Sequence, residues 1–123
     1  NNKKTVLYIE DAPENMELVR QILTHRKSIS LLTASTALAG IEIAQSQTPD
    51  LILMYIHMPG MDGLTAFKKL QTMNGTKNIP VIALTADAMD GDINKAIEIG
   101  FKNYITKPID VPKFLNGIDE IFK

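Results

Sequence analysis

The chain has 123 residues, of which 45% are hydrophobic and 22% are charged, so its size and composition are those of one globular domain and exclude a disordered tail. Its 13 basic and 14 acidic residues give a net charge of -1, which excludes a global field that would attract nucleic acid or an anionic membrane. Because the chain has no cysteine, it cannot form disulfides, thiolate metal sites or cysteine nucleophiles.

Apolar runs that suit strands alternate with segments of helical periodicity. The predicted strands are 6–9, 29–33, 51–56, 81–84 and 103–106. Helices are predicted to begin at Pro13, at Ser35 or Thr36, after the loop 58–63, at Asp87 or Asp90, and at Asp110, with Asn74-Gly75 ending the third and Gly100 the fourth. The apolar residues at helical spacing are Met16, Val19, Ile22, Leu23, Leu38, Ile41, Ala44, Leu64, Phe67, Leu70, Met89, Ile93, Ala96, Ile97, Phe114, Leu115, Ile118 and Phe122.

Strict alternation of strand and helix predicts an α/β fold with a parallel sheet covered on both faces. The run Leu51 to Ile56 is apolar on both of its faces, as expected for a central strand. Right-handed crossovers and short connections favour a flavodoxin-like, doubly wound (βα)5 sandwich, with a five-stranded parallel sheet of order 2-1-3-4-5. Ligands of such sheets bind beyond the carboxyl ends of the strands, so the functional residues are expected there.

No apolar stretch approaches the roughly 20 residues that a membrane-spanning helix needs. The N-terminus also lacks the apolar segment of a secretory signal. We therefore expect one cytoplasmic domain over residues 1–123, with no membrane contact and no direct nucleic-acid contact. The first residue is not methionine, which leaves open that the chain is part of a longer protein.

Polar side chains follow four of the predicted strands. The strand ends supply Glu10 and Asp11, then Tyr55, then Thr85 and Ala86, and finally Lys107 and Pro108. Adjacent carboxylates can hold a hard cation such as Mg²⁺, a lysine can pair with a phosphoryl oxygen, and a threonine hydroxyl can donate a hydrogen bond to one. Taken singly, each is equally typical of a helix cap or a solvated loop charge, but their combination at one sheet edge indicates a site.

The segments VLYIEDAPEN, PDLILMYIHMPGMDG, IPVIALTADAM and GFKNYITKPI resemble the receiver domains of two-component response regulators and hybrid histidine kinases. The resemblance covers essentially the whole chain. It implies a domain that accepts a phosphoryl group from a phosphohistidine onto an aspartate. It also implies partners: a histidine kinase, a histidine phosphotransfer protein, or an output domain in the same or another chain. A weak dimer is left open.

The resemblance also assigns roles to individual residues. It implies that Glu10, Asp11 and the backbone carbonyl of His57 hold Mg²⁺. The implied phosphoryl-binding and switch residues are Thr85, Ala86, Tyr104 and Lys107, and Pro108 is the candidate for a cis turn.

One position departs from the family pattern. The acceptor aspartate is expected four residues before the proline of the loop motif, and counting back from Pro59 gives Tyr55. A phenol has a pKa of about 10 and is almost wholly protonated near neutral pH, and its oxygen lies further from the backbone than that of aspartate. We therefore expect no aspartyl phosphate, weakened Mg²⁺ binding, and a phosphoacceptor-type domain that is not an enzyme and has lost its self-phosphorylation chemistry.

Three interpretations remain. The chain is a receiver-like module that acts by binding proteins, with Tyr55 fixing one conformation, or it is an ordinary phosphoaccepting receiver present here as a Tyr55 variant. The third is an unrelated enzyme or nucleotide binder on the same fold. The sequence disfavours the third, because it contains neither a G-x-x-x-x-G-K-[ST] loop nor a G-x-G-x-x-G segment after the first strand.

Overall fold

Strands and helices alternate in the computed structural model of the chain, which describes residues 3–85, 90–106 and 109–122. Within these ranges the elements are β1 (Lys4–Ile9), α1 (Pro13–Leu23), β2 (Ile29–Ala34), α2 (Ala37–Gln47), β3 (Leu51–Tyr55), α3 (Gly63–Gln71), β4 (Val81–Thr85), α4 (Asp90–Ile99), β5 (Asn103–Thr106) and α5 (Val111–Ile121). Every predicted strand and helix is present, with ends that differ by a few residues.

The strands form one sheet of order β2-β1-β3-β4-β5, and each neighbouring pair is parallel. The predicted fold class and strand order are thus confirmed. β3 lies between β1 and β4, with Tyr8 in register with Leu53 and Tyr55 in register with Leu84. Because the strands are parallel, the carboxyl ends of β1, β3 and β4 lie at the same edge of the sheet.

Alternate strand residues build two separate apolar layers. One face of the sheet packs with α2, α3 and α4 through residues that include Leu7, Ile52, Ala66, Phe67 and Phe101. The other face packs with α1 and α5 through Val6, Tyr8, Val19, Ile22, Leu51, Leu53, Ile82, Leu84, Phe114 and Ile118, among others. The period of two along each strand places consecutive side chains on opposite faces, which explains the division.

Side-chain caps determine where several helices begin. The Thr36 hydroxyl oxygen accepts a hydrogen bond from the Ala39 N–H at 3.1 Å, so Thr36 and not Ser35 is the N-cap of α2. The Asp110 carboxylate accepts from the Lys113 N–H at 3.1 Å and caps α5, as predicted.

The third helix ends earlier than predicted, at Gln71 rather than at Asn74-Gly75. The buried hydroxyl of Thr76 donates a hydrogen bond to the Leu70 carbonyl at 2.7 Å. This bond satisfies a carbonyl that the next helical turn would otherwise use.

Met89 and Ile93 lie outside the residues whose burial is described, and among the others that the helical pattern groups with the core, two apolar side chains are exposed. Leu38 is 59% exposed and Ile97 is 45% exposed. In α2 the buried stripe contains small residues, and a Cβ atom at Gly40 would come within 2.7 Å of Ile9 Cγ1. The buried residues of α2 are Ala37, Gly40, Ile41 and Ala44, so Leu38 lies off the buried face. In α4 the neighbouring Ala96 takes the buried position instead of Ile97.

Among the described residues, a long-range ion pair joins Arg26, which follows α1, to Asp119 of α5. The Arg26 guanidinium donates two hydrogen bonds to the Asp119 carboxylate, from Nε at 3.2 Å and from Nη2 at 2.9 Å. The bonds from Arg26 to Asp119 raise the pKa of Arg26. Among the described residues, no helix combines the length and the apolar character that a membrane span needs.

The cap of α3 gives a prediction for stability. Asp62→Ala is expected to lower the free energy of unfolding by about 1 kcal/mol at neutral pH, because the Asp62 carboxylate accepts a hydrogen bond from the Thr65 N–H at 2.8 Å. Hydrogen bonds from Thr65 hold the pKa of Asp62 below its ordinary value of 3.8. The contribution is therefore present above that value and is lost as pH falls through the folded-state pKa.

Urea unfolding at pH 7 and at pH 3 would measure this difference. Glu42→Ala is the control, because Glu42 is an exposed residue within α2. It is expected to change stability little at either pH. An Asp62→Ala penalty as large at pH 3 as at pH 7 would argue against a role for the ionised carboxylate.

Candidate functional site

The carboxyl edge of the sheet brings together residues from three central strands. Glu10 follows β1, Tyr55 ends β3 and Thr85 ends β4. Ile9 is in register with Met54. Glu10 therefore lies level with Tyr55, and Asp11 lies one residue beyond it. The predicted residues Ala86, Lys107 and Pro108 lie outside the described residues.

Glu10 is a buried carboxylate that is bonded on both of its oxygens. Its side chain is only 1% exposed. Oε1 accepts a hydrogen bond from the Tyr8 hydroxyl at 2.8 Å, and Oε2 accepts one from the Ala12 N–H at 3.2 Å. Asp11, by contrast, is exposed. The two adjacent carboxylates therefore have opposite environments.

Tyr8 is a residue of this site that the sequence analysis missed. Its ring is fully buried. Burial, followed by the hydrogen bond to Glu10, raises the pKa of Tyr8 far above its ordinary value, so its hydroxyl remains a donor. The signal was available in the sequence, because residues two apart on a strand share a face and Tyr8 precedes Glu10 by two.

Tyr55 is half-buried and packs against apolar residues of both sheet faces. Its ring meets the ring of His57 edge-on, with centroids 6.1 Å apart and an interplanar angle of 79°. Burial raises the pKa of Tyr55 above 10.0, and the negative charges of Glu10 and Asp11 raise it further. The phenol is consequently protonated at neutral pH.

The loop after β3 is held close to the strand end. The Ile56 N–H donates to the Leu84 carbonyl at 2.9 Å, and the Gly63 N–H donates to the Ile56 carbonyl at 2.8 Å. A Cβ atom at Gly63 would lie 2.8 Å from the Tyr55 carbonyl oxygen, so only glycine fits at the start of α3. His57 lies in this loop with an exposed side chain.

The two predicted switch residues that the structure describes differ in exposure. Thr85 is buried and is in register with Thr106 of β5. Tyr104 is in register with Ala83 and its ring is exposed on the surface of β5. The predicted coupling between Tyr104 and Thr85 stays a prediction.

The donor set at this edge contains the oxygen ligands that a hard cation takes. Mg²⁺ takes oxygen ligands, keeps several waters, and is bound in proteins through one or two carboxylates. Glu10 and Asp11 supply two neighbouring carboxylates, of which one is open to solvent. Within residues 3–85, 90–106 and 109–122, no group of three or more His, Cys, Asp or Glu side chains is arranged to hold a metal.

Comparison with known proteins identifies relatives that match nearly the whole chain. The family model of the response regulator receiver domain matches residues 6–119. The polar-differentiation response regulator DivK of Brucella anthropi is 37% identical over 115 residues, which are 94% of this chain and 93% of that protein. DivK of Brucella ovis is 39% identical over 115 residues, which again are 94% of this chain and 93% of that protein.

Solved structures share the fold. The receiver domain of the sensor histidine kinase PA1611 of Pseudomonas aeruginosa PAO1, which has a magnesium ion coordinated in its active site cleft, has a TM-score of 0.87 at 24% identity and covers 98% of this chain and 99% of its own. The chemotaxis protein CheY4 of Vibrio cholerae has a TM-score of 0.88 at 20% identity and covers 97% and 98%. At these identities the likeness supports the fold alone, whereas the family match and the DivK relatives decide the family. The chain belongs to the response regulator receiver domain family, the signalling modules of two-component systems.

Proposed function

We propose that this receiver domain acts through protein contacts and forms no aspartyl phosphate, because Tyr55 occupies the acceptor position. Receiver domains work with histidine kinases, histidine phosphotransfer proteins and output domains. The observation that carries the proposal is the half-buried Tyr55 side chain at the end of β3, where burial and the nearby charges of Glu10 and Asp11 raise the pKa of its phenol. We further propose that residues 1–123 form a single cytoplasmic domain without direct nucleic-acid or membrane contacts.

The chemistry of the two side chains supports this proposal. An acyl phosphate forms when a carboxylate oxygen attacks phosphorus. The Tyr55 phenol is less nucleophilic in its protonated state, and the packing of its ring against both sheet faces keeps it in place. The ring also extends the oxygen beyond the point that an aspartate would reach, which moves it out of line with the phosphoryl group.

The remaining residues of the site keep the roles assigned by resemblance. Glu10, Asp11 and the His57 carbonyl would hold Mg²⁺, which when bound neutralises charge on phosphoryl oxygens. Thr85, Ala86 and Lys107 would contact a phosphoryl group, Tyr104 would change its position with Thr85, and Pro108 is the cis-turn candidate. Without an aspartate at position 55, the site has one anionic oxygen ligand fewer, so Mg²⁺ affinity is expected to be weak.

A second candidate function is an ordinary phosphoaccepting receiver that is present here as a Tyr55 variant. The retention of the Glu10–Asp11 pair and of the buried Thr85 favours it. The similarity to DivK, a response regulator by name, is compatible with either candidate.

Intact-mass measurement after incubation with Mg²⁺ and a small-molecule phosphodonor tests the proposal. The chain is expected to keep its unmodified mass, since no carboxylate stands at the acceptor position. An added phosphoryl group would contradict this. Its stability in acid would identify the acceptor, because a phosphorylated phenol survives treatment that hydrolyses an acyl phosphate.

A further inference from the structure

The Tyr8–Glu10 hydrogen bond links a buried side chain of the core to the carboxylate pair at the sheet edge. Tyr8 lies in the middle of β1, paired with Leu53 on one side and Thr33 on the other, and its ring is fully buried. Its hydroxyl cannot follow a moving partner, because the strand backbone and the surrounding core fix the ring. Any displacement of Glu10 toward solvent must therefore break the 2.8 Å bond.

We propose that Tyr8 is a positioning residue that holds Glu10 inside the protein and thereby limits how strongly the Glu10–Asp11 pair binds a divalent cation. The inference rests on the assignment of these two carboxylates as the cation site in the proposed function. It concerns the strength of that site and gives a role to Tyr8, which contacts Glu10 and is not itself a cation ligand.

The energetic argument compares the two states of Glu10. In the structure the Glu10 carboxylate accepts hydrogen bonds that include one from the Tyr8 hydroxyl and one from the Ala12 N–H. A hydrated Mg²⁺ at the surface beside Asp11 would draw Glu10 outward. That movement would leave the Tyr8 hydroxyl buried without this acceptor, and an unsatisfied buried donor is costly. The cost of releasing Tyr8 is subtracted from the binding energy of the cation.

The burial of Tyr8 agrees with this role. Its ring is fully buried and its hydroxyl lies 2.8 Å from Glu10 Oε1, so the donor stays inside the protein. Asp11 has no comparable restraint from burial, because its side chain is exposed. Glu10 is thus the ligand whose availability the protein interior controls.

Tyr8→Phe tests the proposal, because it removes the hydroxyl and keeps the ring. Calorimetric titration of the variant with MgCl2 is expected to give a dissociation constant about tenfold lower than that of the unchanged chain. The gain should disappear when Glu10→Gln is combined with Tyr8→Phe, since the effect acts through the Glu10 carboxylate. Thr76→Val is the matched control: it removes another buried hydroxyl, which lies at the opposite edge of the sheet and bonds Leu70. It should leave the dissociation constant unchanged.

An unchanged or higher dissociation constant for Tyr8→Phe would overturn the proposal, and a higher one would mean that Tyr8 organises Glu10 for the cation. Failure of both proteins to bind Mg²⁺ would also overturn it, whereas binding by the variant alone would support it. Circular dichroism checks that the variant folds. If it does not, Glu10→Asp takes its place, because the shorter side chain moves the charge away from Tyr8 and is expected to bind Mg²⁺ more tightly. The comparison measures Mg²⁺ binding and not phosphorylation. A failure of the proposed function would therefore leave open whether Tyr8 limits Mg²⁺ binding, and the two results can be told apart.

Discussion

Tyr55→Asp is expected to accept about one phosphoryl group per chain from a small-molecule phosphodonor with Mg²⁺, under conditions in which the unchanged chain accepts none. Aspartate at the end of β3 would supply a carboxylate nucleophile beside Glu10 and Asp11, whose charges act on the side chain at this position. It would also add the missing anionic ligand for the cation. Intact mass before and after incubation measures the change.

The same substitution is expected to alter stability in a cation-dependent way. Without Mg²⁺, Tyr55→Asp should lower the free energy of unfolding by about 1–3 kcal/mol, because it removes a ring that packs against both sheet faces and adds a third negative charge. Added Mg²⁺ should recover part of this loss, since a cation that binds only the folded state stabilises it. Thermal unfolding over a range of MgCl2 concentrations measures both effects.

Tyr55→Asn is the matched control. It has nearly the shape of aspartate but no charge, so it is expected to lose the packing of the ring while gaining neither a phosphoryl group nor cation-dependent stability. If Tyr55→Asp also remained unmodified, the site would have changed at other residues as well. The domain would then act only as a binding module, and the phosphoaccepting alternative would be wrong.

Gly63→Ala is expected to destabilise the fold by about 1–3 kcal/mol, which is large for the addition of one methyl group. An added Cβ would lie 2.8 Å from both the Tyr55 carbonyl oxygen and the Ile56 Cα. Both are backbone atoms at the end of a central strand, so neither can move without disturbing the hydrogen bonds that anchor the loop. Urea unfolding measures the change.

Gly75→Ala is the control for this prediction. A Cβ at Gly75 would meet nothing within 4 Å, so the substitution should be neutral or slightly stabilising through its effect on the unfolded chain. Equal stabilities of the two variants would mean that the start of α3 can move away from β3. The Tyr55 end of β3 would then move more easily than its close contact with Gly63 indicates.

The sequence predicted the fold well because its signals are local and repeated. Apolar runs such as Leu51 to Ile56, together with caps such as Asp110, define elements whose order leaves few topologies. Burial within helices was less predictable. Leu38 and Ile97 have the spacing of core residues, yet both are exposed, because the buried positions beside them are taken by Gly40 in α2 and by Ala96 in α4.

At the candidate site, the sequence predicted which residues the strand ends deliver but not how they interact. Glu10 and Asp11 are adjacent acidic residues in the sequence, but Glu10 is buried and bonded to Tyr8, whereas Asp11 is exposed. This difference depends on how the end of β1 is buried and on the hydrogen bond from Tyr8 to Glu10. The roles of Ala86, Lys107 and Pro108 stay predictions, as does the position of Tyr55 as the acceptor.

The two faces of the sheet are completed at different times during synthesis on the ribosome. Among the described residues, the face that packs with α2, α3 and α4 has all of its buried core residues once Phe101 has emerged. The opposite face needs Phe114 and Ile118 of α5 to cover the side of β1 that carries Tyr8. Until α5 has been synthesised, the nascent chain exposes apolar strand surface of the kind that chaperones bind. The domain is therefore prone to aggregation until α5 packs on this face.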